Sequence, residues 1–268
     1  MALPGVKFET ECFNHLQTVY GSACTLEHFG KSNATLSDIK VTTGHSSFFI
    51  EVKDTKAQAG QFVLQPDCEE RRFIFSPANQ TKANQYTDAM IEHMNADFES
   101  FLNAGTKGQA LNLDSRIFTL WIMHYYQSKG VRFFMSKSSR SQGGQYVILP
   151  LERFGHYFDV TAKFRIKRSG SSSPSPGAME HVIDVLTRQY GITDPVITGK
   201  KLFVTADPSV SKQHFRTGGT EYRIAPKTET RFEIRKLSDT YNSNVIFSTS
   251  LKASQDPADL TLFEQALI

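Results

Sequence analysis

Residues 37–64 read SDIKVTTGHSSFFIEVKDTKAQAGQFVL. Asp38 opens the run, and the apolar stretch Phe48-Phe49-Ile50 leads into Glu51-Val52-Lys53. Phe and Ile favour a strand, and Thr42-Thr43-Gly44-His45 supplies a turn before it. Side chains alternate faces along a strand, so Glu51 and Lys53 share one face. Ile50 and Val52 take the other, assigned to the core. With Gly44-His45 as a two-residue loop, Thr43 pairs with Ser46, and counting outward sets Asp38 opposite Glu51. Opposed residues have Cβ atoms about 4.5–5.5 Å apart. The inference depends on register, because a one-residue slip would turn one carboxylate to the other face.

Two carboxylates at that spacing can share one hard, oxygen-seeking cation such as Mg²⁺. With a lysine beside them, they can activate a water against a phosphodiester. Glu-x-Lys alone is a weak motif, usually a solvated pair. Three features strengthen it here. Glu51 follows an apolar run, Asp38 falls at the paired position, and Glu9 supplies a further acid. Phe8, Cys12, Leu16, Val19 and Tyr20 trace a helical apolar stripe with Glu9 at its edge. Glu9 is either a second metal ligand or a surface acid. Gln58 and Gln61 follow the strand closely, and either could reach a catalytic water or DNA, or stay a surface amide.

The chain has 268 residues, 39% of them hydrophobic, with 21 Phe, enough for a sizeable core and against disorder. No apolar run approaches the roughly 20 residues of a membrane span. The N-terminus lacks an apolar signal core. Cys12, Cys24 and Cys68 are scattered without CxxC spacing, as reduced thiols of a cytoplasmic protein would be. The eight histidines form no HExxH pair, and no Ser-His-Asp set or phosphate-binding glycine loop can be placed. Charge is uneven. Residues 1–160 hold 15 Lys and Arg against 16 Asp and Glu, and residues 161–252 hold 15 against 8. That asymmetry points to a catalytic first part and a second part facing a polyanion.

Apolar spacing predicts a helix over 80–102 and another over 114–127 capped by Asp114. VRFFMS and QYVILPL read as strands about the polar turn 136–144. The order of helix, hairpin, helices and strands predicts an α/β fold, a mixed central sheet flanked by helices, with a β-rich basic C-terminal region. The expected division is a nuclease core, 1–160, and a DNA-recognition region packed on it, 161–268, with a Ser/Pro/Gly loop at 169–178. Two basic clusters stand out: Lys163, Arg165, Lys167, Arg168 and Ser169, then Lys212, Gln213 and Arg216, the latter with His214 and Arg223 nearby. Arginine can read guanine edges and lysine can hold phosphate, so one cluster would read bases and the other the backbone.

The runs SDI at 37–39, FFIEVK at 48–53, QAGQFVL at 58–64, WIMHYYQSKGVRFF, LERFGHYFDVTAKFRIKRSGS and NVIFSTSLK at 244–252 carry a resemblance over most of the length. The chain resembles type II restriction endonucleases of the HhaI kind, within the PD-(D/E)XK nuclease superfamily. The resemblance implies a PD-(D/E)XK core and Mg²⁺-dependent cleavage of double-stranded DNA at a short palindrome, GCGC. It implies Asp38 and Glu51 as metal-binding acids, the Val52 carbonyl as a further metal contact, and Lys53 as the catalytic lysine. Gln58 is carried as a catalytic candidate and Glu9 as a metal candidate. The leading Pro-Asp of the superfamily is Ser37-Asp38 here. A cognate DNA methyltransferase as functional pair, action as a monomer or transient dimer, and a prokaryotic cytoplasm follow from the same likeness. A structure-specific repair or recombination nuclease and a non-catalytic DNA-binding protein are the competing readings.

Overall fold

A computed structural model of the protein describes residues 4–29, 37–137, 146–168 and 170–268. Helix α1 (Pro4–Tyr20) precedes strands β1 (Thr25–His28), β2 (Ile39–Thr42), β3 (Ser47–Val52), β4 (Lys56–Asp67) and β5 (Arg72–Phe75). Helices α2 (Gln85–Ala96) and α3 (Phe98–Leu102), strand β6 (Gln109–Ala110) and helix α4 (Ser115–Gln127) follow. Strands β7 (Val131–Lys137) and β8 (Tyr146–Pro150), helix α5 (Phe154–Tyr157) and strand β9 (Phe158–Arg168) come next. Then come β10 (Ser171–Ser172), α6 (Met179–Tyr190), β11 (Thr193–Thr198), β12 (Lys201–Thr205), β13 (His214–Thr217), β14 (Thr220–Pro226) and β15 (Arg231–Leu237). Strand β16 (Tyr241–Leu251) and helix α7 (Pro257–Gln265) close the chain.

The chain divides into two compact units. The first comprises residues up to 166 together with 243–268, and the second runs from Lys167 to Asn242. This division departs from the expected 161–268 region. Strand β16 carries Val245 and Phe247 into the first unit's core, and α7 carries Phe263 there. Burial of these late apolar residues places the chain end in the first unit.

The first unit holds two sheets. The first has the order β1-β2-β3-β7-β8 and is mixed, because β3 and β7 run parallel while the other pairs are antiparallel. The second has the order β5-β4-β16-β9-β6. The α/β class with a mixed sheet and flanking helices is therefore the observed one, with more strands than the sequence disclosed. The segment QAGQFVL at 58–64 lies within β4.

Both faces of the mixed sheet are covered. Phe48, Ile50, Val52, Phe133 and Met135 pack with Phe8, Cys12 and Leu16 of α1 and with Phe263. Phe49 and Phe134 face the larger core, with Phe118, Trp121, Ile122 and Tyr126 of α4. The expectation of one core face was incomplete, because α4 packs on the face that carries Glu51. Asp114 caps α4 as expected, accepting from Arg116 N at 2.9 Å. Helix 80–102 is instead two helices. Asn84 caps α2 by accepting from Tyr86 N and Thr87 N, and Asp97 (φ −131°) interrupts the run. On α1, Val19 is 50% exposed and falls outside the buried stripe. Gly60 (φ 152°) faces Trp121, and a Cβ there would come within 3.0 Å of its ring. Its bareness leaves room for Trp121, which stacks on Phe247 at 4.2 Å.

The second unit is a sheet in the order β11-β12-β15-β14-β13, with β10 added beside β15. Met179, Val182 and Leu186 of α6 cover it against Leu202, Val204, Tyr222, Ile224, Phe232 and Ile234. Within the expected loop 169–178, Ser171 and Ser172 pair with Leu237 and Lys236. Among the described residues, no helix is long and apolar enough to cross a membrane.

Helix α7 is tied down by a buried polar network. Tyr157 donates its hydroxyl to Asp259 Oδ2 at 2.7 Å and accepts from Asp256 N at 3.0 Å. Arg153 Nε reaches the same Asp259 oxygen at 3.3 Å, and Asp259 is only 3% exposed. Tyr157→Phe strips one donor from a buried carboxylate, at a cost of about 1–3 kcal/mol. Thermal melting should show this as a fall of roughly 2–4 °C for each kcal/mol. An unchanged melt would show that the network does not hold α7.

Candidate active site

The hairpin register is the one counted from the sequence. Ile39 pairs with Ile50, Lys40 with Phe49, Val41 with Phe48 and Thr42 with Ser47. Thr43 N donates to Ser46 O at 2.9 Å, closing the turn. The next pair outward is Asp38 with Glu51. Asp38 Oδ2 accepts from Val52 N at 2.8 Å, so the carboxylate is held over the end of β3. Glu51 is buried and accepts from Lys53 Nζ in a close ion pair. Lys53 Nζ also donates to Val52 O at 3.3 Å and lies 5.6 Å from the centre of the Tyr126 ring. One strand end thus gathers two acids, a carbonyl and an ammonium.

The charges do not balance in isolation. Burial, then Glu51 and more weakly Glu9, push the Asp38 carboxyl up to about 7, against the pull of Lys53 and of the hydrogen bond from the Val52 amide. Burial acts to lower the Lys53 pKa, but Glu51, Tyr126 and Asp38 outweigh it and hold the ammonium well above its usual range. Glu9 on α1 feels the same site. Burial raises its carboxyl, Lys53 lowers it and Glu51 raises it. Its Oε2 is buried without a hydrogen-bond partner among the described residues.

These residues fit a hard divalent cation. The donors are carboxylate and carbonyl oxygens, one carboxylate oxygen has no partner, and one acid is hard to ionise where it sits. The side chains as placed do not close into a cage, and among the described residues no three of His, Cys, Asp and Glu converge in that way. The reason is local: Glu51 is turned to Lys53 and Asp38 to the Val52 amide.

A solved structure of HhaI endonuclease in complex with DNA is similar to this chain at 33% identity and a TM-score of 0.82, over 99% of each chain. The chain belongs to the HhaI-like restriction endonucleases. No family model and no curated protein matches it. As a member of the HhaI-like endonucleases, the chain has the expected α/β nuclease architecture.

The other expected residues of this HhaI-like endonuclease are spread more widely. Gln58 is exposed on β4, and its amide donates to Gln61 Oε1 at 3.3 Å rather than to the acids or Lys53. Lys163 and Lys167 are exposed on β9, and Arg165 between them is half-buried, its Nε without a partner among the described residues. Arg168 is paired with Glu221 at 2.7 Å. Ser169 lies outside the described residues. Lys212 sits in left-handed backbone (φ 65°), Gln213 donates to Ser209 O at 3.0 Å, and Arg216 is exposed on β13.

Two features escaped the sequence. Tyr126 was legible only as part of a buried helix, yet its ring flanks Lys53. A groove of about 540 Å³ is lined by Lys56, Gln58, Asp159, Thr161, Ser248 and Ser250. The alternation of β9, Phe158 in, Asp159 out, Val160 in, Thr161 out, was a readable signal for it.

The raised Asp38 pKa has a definite consequence for stability. Its folded value lies above the ordinary 3.8, so the protonated form favours the fold. That contribution is complete below pH 3.8 and is lost as pH rises through about 7. Without divalent ions, wild type should therefore lose melting temperature between about pH 4 and 7, and Asp38→Asn should lose less. At pH 8, Mg²⁺ or Ca²⁺ at a hundred times Kd should stabilise wild type by about 2.7 kcal/mol. Differential scanning fluorimetry reads both effects. Equal cation shifts in wild type and Asp38→Asn would remove Asp38 from the site.

Proposed function

We propose that this protein is a Mg²⁺-dependent type II restriction endonuclease that hydrolyses double-stranded DNA at a short palindrome, GCGC. A cognate methyltransferase protecting the same sequence belongs to the proposal. The observation that carries it is the meeting of Asp38, Glu51 and Lys53 at one strand end, in a chain one-third identical to HhaI endonuclease over its length. The DNA in that relative's structure supports DNA as the partner.

In this proposal, Asp38, Glu51, the Val52 carbonyl and Glu9 hold the cation. The cation would supply Lewis-acid charge that lowers the pKa of a water and offsets negative charge on the phosphoryl group. Lys53 carries a fixed positive charge beside Glu51. It orients the attacking water or stabilises the charge that grows on the phosphate oxygens as the P–O bond breaks. Tyr126 and the sheet core exclude water behind the lysine, which strengthens that interaction. Binding falls to the basic residues of β9 and of the second unit. Arg165 is the better base reader of its cluster, because Arg168 is already engaged by Glu221. Lys163 and Lys167, both exposed, suit phosphates.

The test is cleavage of unmethylated plasmid with Mg²⁺, followed by mapping of the ends. Discrete ends at GCGC, lost on prior methylation of that sequence, are the expected result. Cutting only of branched substrates would replace this reading with a repair nuclease. Lys53→Ala should lower the cleavage rate by about 10²–10³-fold. Lys163→Ala should weaken binding to all sequences alike and reduce the salt slope by about one. Arg165→Ala should relax site choice, and an unchanged cleavage pattern would remove it from recognition.

A further inference from the structure

We propose that Ser136 is a positioning residue for Lys53, its hydroxyl accepting the ammonium once Glu51 is engaged by the cation. The inference rests on the site reading above and extends it to a residue that no motif indicated.

Strands β3 and β7 are parallel, and Val52 pairs with Met135. Lys53 N donates to Met135 O at 2.9 Å. The same step occurs lower in the ladder, where Phe49 pairs with Val131 and donates to Gly130 O at 3.0 Å. Lys53 therefore stands opposite Ser136. Neighbouring strands lie about 4.7–4.9 Å apart, so side chains of one face adjoin there. The face is also settled. Phe134, opposite Glu51, packs on Tyr126 with ring centres 5.0 Å apart. Val147, opposite Ser136, belongs to the same core as Phe134, while Met135 belongs to the other. Ser136 thus shares its face with Glu51 and Lys53.

Ser136 is 0% exposed, and its hydroxyl has no hydrogen-bond partner among the described residues. Buried hydroxyls are normally satisfied, and alanine would fill this place without the penalty. The exception lies beside a lysine that must change partner. Lys53 now directs its ammonium to Glu51 and the Val52 carbonyl, with Tyr126 as a third partner. The first two are proposed cation ligands, and a cation there repels the ammonium. An ammonium has three donors and needs a fresh acceptor within reach. Ser136 Oγ supplies one on the adjoining strand, keeping the charge near Tyr126.

The test compares wild type, Ser136→Ala, Lys53→Ala and the double variant. Three quantities are read: the single-turnover cleavage rate with Mg²⁺, DNA affinity with Ca²⁺, and melting temperature without divalent ions. Ser136→Ala should cut about 10–100-fold more slowly, the usual loss for a supporting hydrogen bond at a metal site. Its DNA affinity should stay within about twofold, and its melting temperature should equal or exceed that of wild type. In the Lys53→Ala background, Ser136→Ala should cost nothing further. A lowered melting temperature or failure to fold would make the hydroxyl structural and overturn the proposal. So would an equal rate loss in the absence of Lys53. Lys53→Ala at full activity would defeat the site reading itself. Lys53→Ala inactive with Ser136→Ala at full rate would defeat only the role of Ser136.

Discussion

The pairing of β2 with β3 is the constraint on which the site depends. It puts Asp38 across from Glu51 and leaves Lys53 at the strand end beyond them. A hairpin has few ways to vary this, since a shift of one residue reverses every side chain. Here the register is held from both sides of the sheet. Ile39, Val41, Phe48 and Ile50 are committed to one core and Phe49 to the other. Moving Asp38 away from Glu51 would expose those apolar residues, so the stability of the sheet also positions the charges.

The same burial makes the charges consequential. In water, two carboxylates and a lysine would interact weakly, but inside a two-sided core their fields are poorly screened. Asp38 becomes reluctant to ionise, and Glu9 has an oxygen without a partner among the described residues. Active sites commonly keep such unfavourable features, because what is poorly satisfied alone is suited to a ligand. The parallel neighbour β7 completes the arrangement. It accepts from the Lys53 amide and forms the floor of the site, while α4 brings Tyr126 against the ammonium.

Much of this was open to reading. The period-two pattern and the Gly44 turn disclosed the hairpin, its register and the shared face of Glu51 and Lys53. Asp114 announced the start of α4. The readings that failed were those depending on distant chain. Helix 80–102 broke at Asp97 because local capping and packing prevailed over an apolar periodicity that runs through both pieces. Val19 fitted the helical stripe but found nothing to pack on. The division at 160 followed charge, while the compact units follow packing, which returns Val245, Phe247 and Phe263 to the first unit. The ion pair of Arg168 with Glu221 was likewise beyond the reach of any local pattern.

The chain alone determined the hairpin: its register, and which faces Asp38, Glu51 and Lys53 take along it. These follow from short-range geometry, where spacing of two and the length of a turn leave little freedom. Only the tertiary structure decided what surrounds them. That β7 runs parallel beside β3, that α4 covers the charged face, and that Glu9 looks in from α1 all depend on contacts between residues far apart in sequence. Such contacts are selected by the burial of whole apolar surfaces rather than by any local pattern, so no motif encodes them.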